Sequence, residues 1–246
     1  DVTYQRARGE ADRAYRRGDV DAALEADFVA HWPQLPDAEA LARDYSTFDV
    51  RQRQLVTLLL REGRFRLAHA HGHLLFVHAG VTVADLAAIG STATTAPDIA
   101  AALNAWLDAA VARTPFELGP VYQPGSHATG EARGMLAHRP SHPGRSPAAQ
   151  FVGPPRRRFD PRELPTGVTQ VIGHVRDGKC RELLGEWVEA GEPRDGPLRQ
   201  LHVNGDSVRY SRGVSNDAAL IFIDGGMNHT PIADYELFDF GNFSRP

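Results

Sequence analysis

The chain has 246 residues, 42% apolar and 24% charged, with 23 Gly and 17 Pro, a profile that excludes fibrous, collagen-like and largely disordered readings and allows a sizeable core. A formal charge of -4 supplies no global basic field to hold a polyanion by counterion release, so nucleic acid is not an expected partner. Cys180 is the single cysteine, which excludes an intramolecular disulfide; nothing suggests an oxidising compartment or a cysteine-ligated zinc, and a cytoplasmic protein is expected.

Residues 1–61 read as helical, with Val20, Ala23, Leu24, Phe28 and then Leu55, Leu58, Leu59 at helical spacing and with Asp19 and Asp37 as expected N-caps. From Arg64 the period changes to alternation, a turn is expected near His71–Gly72, and Leu74–Val77 is a continuous apolar run: a hairpin whose second strand is buried. Asp85–Ile89 and Ile99–Ala112 then read as helices, the second with Ile99, Leu103, Trp106 and Ala110 on one face. Residues 115–165 hold ten of the 17 prolines and the run Arg156–Arg158, which predicts a long loop; loops of that length inside compact domains usually bind or cover something. After it come a strand at Val168–Ile172, a helix over about Cys180–Glu189, and strands at Leu198–Val203, Ser207–Tyr210 and Leu220–Ile223, the first two joined by a tight turn at Asn204-Gly205. The apolar stretches 74–77 and 218–223 are far shorter than the ~20 residues that cross a bilayer, so no membrane span is expected. The whole is predicted as one α/β domain over 1–246, with a mixed sheet flanked by helices.

Three segments share one design. Leu74–Val77 leads into His78-Ala79-Gly80, Val171-Ile172-Gly173 into His174, and Ile221–Ile223 into Asp224-Gly225-Gly226. Each is an apolar strand ending in a polar residue flanked by small ones, at the strand end where ligands of α/β sheets gather. Any one such histidine or aspartate is ordinarily a turn hydrogen bond. The three together point to a metal site, because neutral imidazole and carboxylate suit Mn, Fe or Zn and glycines let a ligand approach the backbone.

The ordered motifs LLFVHAG (74–80), VIGH (171–174) and IDGG (223–226), separated by a long irregular loop, resemble the C-terminal half of calcineurin-like metallophosphoesterases, of the phosphoprotein-phosphatase and diadenosine-tetraphosphatase type. The resemblance spans about residues 64–226. It implies a layered α/β sandwich of mixed sheets, a centre of two divalent ions (Mn, Fe or Zn), and metal-ligand roles for His78 and His174; the third motif is implied as a core strand and turn near the site, which carries little for Asp224. It also implies an arginine on the substrate phosphate between the two histidine motifs. Arg139, in Gly134-Met-Leu-Ala-His-Arg-Pro140, is the best match. Two ions about 3.5–4 Å apart activate a bridging water for in-line attack on phosphorus, so the implied activity is hydrolysis of phosphomonoesters or related esters. The implied substrates are phosphoproteins, dinucleoside polyphosphates or small phosphoesters.

The family also carries upstream GDxHG, GDxxDRG and GNHE motifs, which supply the remaining ligands and are not found here. Gly18-Asp19 opens a helical stretch, Gly205-Asp206 sits in a hairpin, and Asn228-His229 follows the third motif. The chain, which opens on Asp1, is therefore expected to be the downstream part of a longer enzyme, with activity on its own in doubt. The alternative is a metal-free α/β binding or regulatory module that retains the fold. Four further features carry bland readings. His69, His71 and His73 are expected as solvated hairpin positions, Arg156–Arg158 as a solvated run, Trp32, Trp106 and Trp187 as core or cover, and Cys180 as no nucleophile.

Overall fold

The computed structural model describes residues 2–16, 19–35, 37–44, 50–113, 119–122, 134–145, 158–227 and 230–243. They fall into two compact units, one up to Phe65 and one from Arg66 onward.

The first unit is helical, as the spacing predicts. It comprises α1 (Val2–Ala14), the two-residue strands β1 (Tyr15–Arg16) and β2 (Asp19–Val20), α2 (Ala22–His31), α3 (Ala38–Asp44) and α4 (Val50–Arg61). Its core is built on alanine: Ala7, Ala11 and Ala14 line one side of α1 and pack with Phe28, Ala38, Leu41 and Ala42. Small side chains at i, i+4 and i+7 let helices approach closely. Asp37 caps α3 through Ala40 N–H, as expected. The cap of α2 is Asp21, whose carboxylate accepts from Ala23 and Leu24 N–H, not Asp19, which pairs in β2. Both aspartates precede the helix, and only Asp21 adjoins its first turn. Helix α4 forms, but Leu55 and Leu58 remain about half exposed.

The second unit is mixed α/β. Its strands are β3 (Ala68–His71), β4 (Leu74–Val77), β7 (Thr169–Ile172), β8 (Arg199–Asn204), β9 (Ser207–Arg212) and β10 (Leu220–Phe222), in the sheet order β3-β4-β7-β10-β8-β9. Strands β4, β7 and β10 run parallel, while β3, β8 and β9 each pair antiparallel with a neighbour. Val77, Ile172, Phe222 and Arg199 share one register row, so the carboxyl ends of the three parallel strands are level with the start of β8. Two short strands, β5 (Arg139–Pro140) and β6 (Arg158–Phe159), pair in parallel apart from this sheet. Much of the expected loop, including Arg156 and Arg157, lies outside the described residues, as do Asn228 and His229.

Both hairpins form. Register leaves Gly72-His73 and Gly205-Asp206 as the two-residue turns, and Gly72 and Gly205 both have φ 58°, the left-handed backbone a two-residue hairpin turn needs. The helices start earlier than apolar spacing alone suggests. Thr82 caps α5 (Val83–Ala88) in a reciprocal capping box with Asp85, and Thr95 caps α6 (Ala96–Val111). Helix α6 packs on β3 and β4 and buries Ile99, Leu103, Leu107 and Ala110, with Trp106 half-buried at the edge of that face. Helix α7 (Asp177–Leu184) follows β7 directly. On the opposite sheet face Leu74, Val171, Ala218 and Ile221 form a cluster joined by Phe76, Val214 and Phe238. Among the described residues no helix is long and apolar enough to cross a membrane.

Candidate functional site at the parallel strand ends

The sheet hydrogen bonding runs one residue past the strands. Gly173 N–H donates to His78 C=O at 3.1 Å, and Ile223 N–H to Ile172 C=O at 2.9 Å. That continuation brings the next side chains together. The His78 and His174 rings lie with centroids 4.6 Å apart and planes tilted by 54°. His78 keeps solvent-accessible surface, yet the protein around its ring desolvates it and lowers its pKa, against the opposing charge of Asp224. Its imidazole is therefore neutral at neutral pH, the form that binds a metal ion. Asp224 accepts from Gly226 N–H at 3.2 Å, so one carboxylate oxygen stabilises its own turn.

Gly225, Gly226 and Gly80 make room for the chain itself, whereas Gly173, beside His174, is exposed and a Cβ there would meet nothing closer than 3.7 Å. A Cβ on Gly225 would come within 2.6 Å of the Tyr235 ring, and one on Gly226 within 2.9 Å of the Asp195 carboxylate. Gly80, at φ 106°, faces the Phe159 ring in the same way at 3.2 Å.

Behind His78 the loop is held by buried polar side chains. Gln170, fully buried in β7, accepts from Val81 N–H at 2.8 Å and donates to Val81 C=O at 2.7 Å. His138, also fully buried, sets Nε2 against Gly80 C=O at 2.7 Å and its ring against Phe159; facing a carbonyl, Nε2 is the protonated nitrogen. Behind His174, the Asp177 carboxylate is 2% exposed and takes four donors: Tyr210 Oη (2.8 Å), Arg199 Nε (3.0 Å), Arg181 Nε (2.9 Å) and Arg194 N–H (2.8 Å). Apolar periodicity carries no sign of Gln170, His138 or Asp177. The one available signal was a polar Gln inside an otherwise buried strand, since buried polar groups are bonded.

Arg139 begins β5, next to His138, and is half-buried, with its charge felt at Cys180 on the α7 side. Burial pushes the Cys180 thiol up to about 12, so it is no nucleophile near neutral pH. His69 and His71 are exposed on β3, where His69 tilts on Phe76 and His71 meets Phe240 edge-on. Trp187 packs against His142 and lies under Arg162, and Trp32 donates to Glu10.

The imidazole pair fits part of a divalent-metal donor set. Among the described residues, no group of three or more His, Cys, Asp or Glu side chains is placed to hold an ion. In comparisons with known proteins, no family model, no curated protein and no solved structure matches the chain.

Proposed function

We propose that the chain is part of a metal-dependent phosphoesterase of the calcineurin-like type, whose sheet is one layer of a metallophosphoesterase-like sandwich. The observation that carries this reading is the pairing of His78 and His174 at adjacent parallel strand ends, with rings 4.6 Å apart. His78, neutral and partly desolvated, and His174 would hold divalent ions of the Mn, Fe or Zn class. Such ions supply Lewis-acid polarisation of the phosphoryl group and a nucleophilic water at neutral pH. The remaining donors are carboxylate, amide or imidazole groups outside this pair.

Each side chain has a task in this reading. His78 and His174 present lone pairs from rigid strand ends, and Asp224 adds negative charge beside His78. Arg139 is assigned to the substrate phosphate, where a guanidinium gives bidentate recognition; it adjoins His138, which touches the His78 loop at Gly80. The substrates in view are phosphoproteins, dinucleoside polyphosphates and small phosphoesters.

The test is Mn²⁺ titration of the chain, with p-nitrophenyl phosphate hydrolysis as a second readout. His78→Ala and His174→Ala are expected each to weaken the Mn²⁺ binding of the chain, together with any hydrolysis, while the fold persists. Mn²⁺ affinity equal in wild type and both variants would overturn the reading and favour a metal-free binding or regulatory module.

A further inference from the structure

From His78 to Val81 the backbone is gripped at four polar groups. His78 C=O is held by Gly173 N–H, Gly80 C=O by His138, and both the N–H and the C=O of Val81 by the Gln170 amide. Ala79, Gly80, Val81 and Gln170 are all buried. Gln170 lies in β7, four residues before His174. The strand that presents one imidazole thus grips, through its own side chain, the loop that presents the other.

An amide in this position is chemically costly. Its neighbours Thr169, Val171 and Ile172 are buried, and a parallel strand covered on both faces ordinarily reads as an apolar run. A leucine would fill the same space. What an apolar side chain does not do is tie a loop residue to the strand by two bonds of 2.7–2.8 Å, which fixes where the loop leaves the sheet and hence where His78 points. We infer that Gln170 is a positioning residue for the His78–His174 pair, with His138 as its assistant from the other side of the loop. As regards metal, this rests on the proposed function. As regards ring geometry, it stands alone.

The experiment compares Gln170→Leu with wild type and with Leu103→Ala, a variant that weakens the α6 core and leaves Gln170 and His138 in place. In metal-free protein, the nuclear Overhauser effect between the His78 and His174 ring protons is expected in wild type and Leu103→Ala and lost in Gln170→Leu. Mn²⁺ affinity is expected to fall about 10–100-fold in Gln170→Leu, the usual cost of removing an outer-sphere support, and to stay unchanged in Leu103→Ala. Should Gln170→Leu fail to fold, His138→Phe keeps a ring against Phe159 while removing the Gly80 bond. It should weaken the ring-to-ring effect in the same direction. A ring-to-ring effect that persists in the variant tested overturns the inference. If wild type and His78→Ala bind Mn²⁺ equally, the metal reading falls, and the ring measurement alone decides the role of Gln170.

Discussion

His78 and His174 end neighbouring strands, but the backbone behind each is fastened by a different kind of contact. Behind His78 the contacts are the Gln170 amide on Val81 and the His138 imidazole on Gly80, with His138 Nδ1 3.7 Å from the Asp85 carboxylate. Behind His174 they are ionic and reach across the sheet. One carboxylate, Asp177, gathers donors from β8, β9, α7 and the segment preceding β8. The ionic arrangement ties more elements together, yet it is less complete, since Arg199 Nη2 is buried without a hydrogen-bond partner among the described residues. A buried carboxylate with four donors is a point on which several elements depend, and loss of either charge leaves the other stranded. The Gln170 amide on Val81 is uncharged and lacks that exposure to failure.

The contrast predicts a graded series. Asp177→Ala strands the Arg199 guanidinium in the core and is expected to cost about 3–5 kcal/mol in chemical denaturation; a loss below about 1 kcal/mol would mean the ionic centre does not bind the elements together. Tyr210→Phe removes one donor to a charged acceptor and keeps the ring against Phe222. Its expected cost is about 1.5–3 kcal/mol, measured the same way. The smallest effect is expected at Glu236, which accepts from Leu198 N–H just before Arg199 and pairs with Arg212. The Leu198 N–H and the Arg212 guanidinium hold its carboxyl below the usual range. A folded-state pKa below the unfolded one contributes stability that is present above the unfolded value, near 4.3, and is lost as pH falls through the folded value. Because the pair is exposed, Glu236→Gln should flatten the acid limb of the stability–pH curve by well under about 1 kcal/mol. A larger change would move Glu236 into the same cooperative unit as Asp177.

The strand ends were readable because short apolar runs that stop at a polar residue and a glycine are a local pattern. LLFV, TQVI and LIF are adjacent in the sheet in that sense. Their order was not readable, since β10 inserts between β7 and β8 and nothing local encodes a partner. Helix starts at Thr82 and Thr95 were carried by capping hydroxyls, outside the apolar spacing used to locate α5 and α6. The residues that brace the imidazoles escaped for a related reason. Gln170 meets Val81 across 89 positions and Tyr210 meets Asp177 across 33, so neither pairing leaves a short-range trace. The glycines after Asp224 were visible, but their purpose depends on Tyr235 and Asp195, which only folding brings near.

Cys180 sits one helical turn beyond Asp177, fully buried, its sulfur 3.9 Å from Val175 C=O. As the single thiol of the chain, it acts as a built-in clock. A maleimide or disulfide reagent meets it only when the packing around α7 opens, so, where reclosing outpaces labelling, the labelling rate divided by that of an unprotected thiol equals the fraction of time this corner stands open. The protein therefore carries its own gauge of how firmly the His174 strand end is closed, one that reads a single locus and requires no introduced probe.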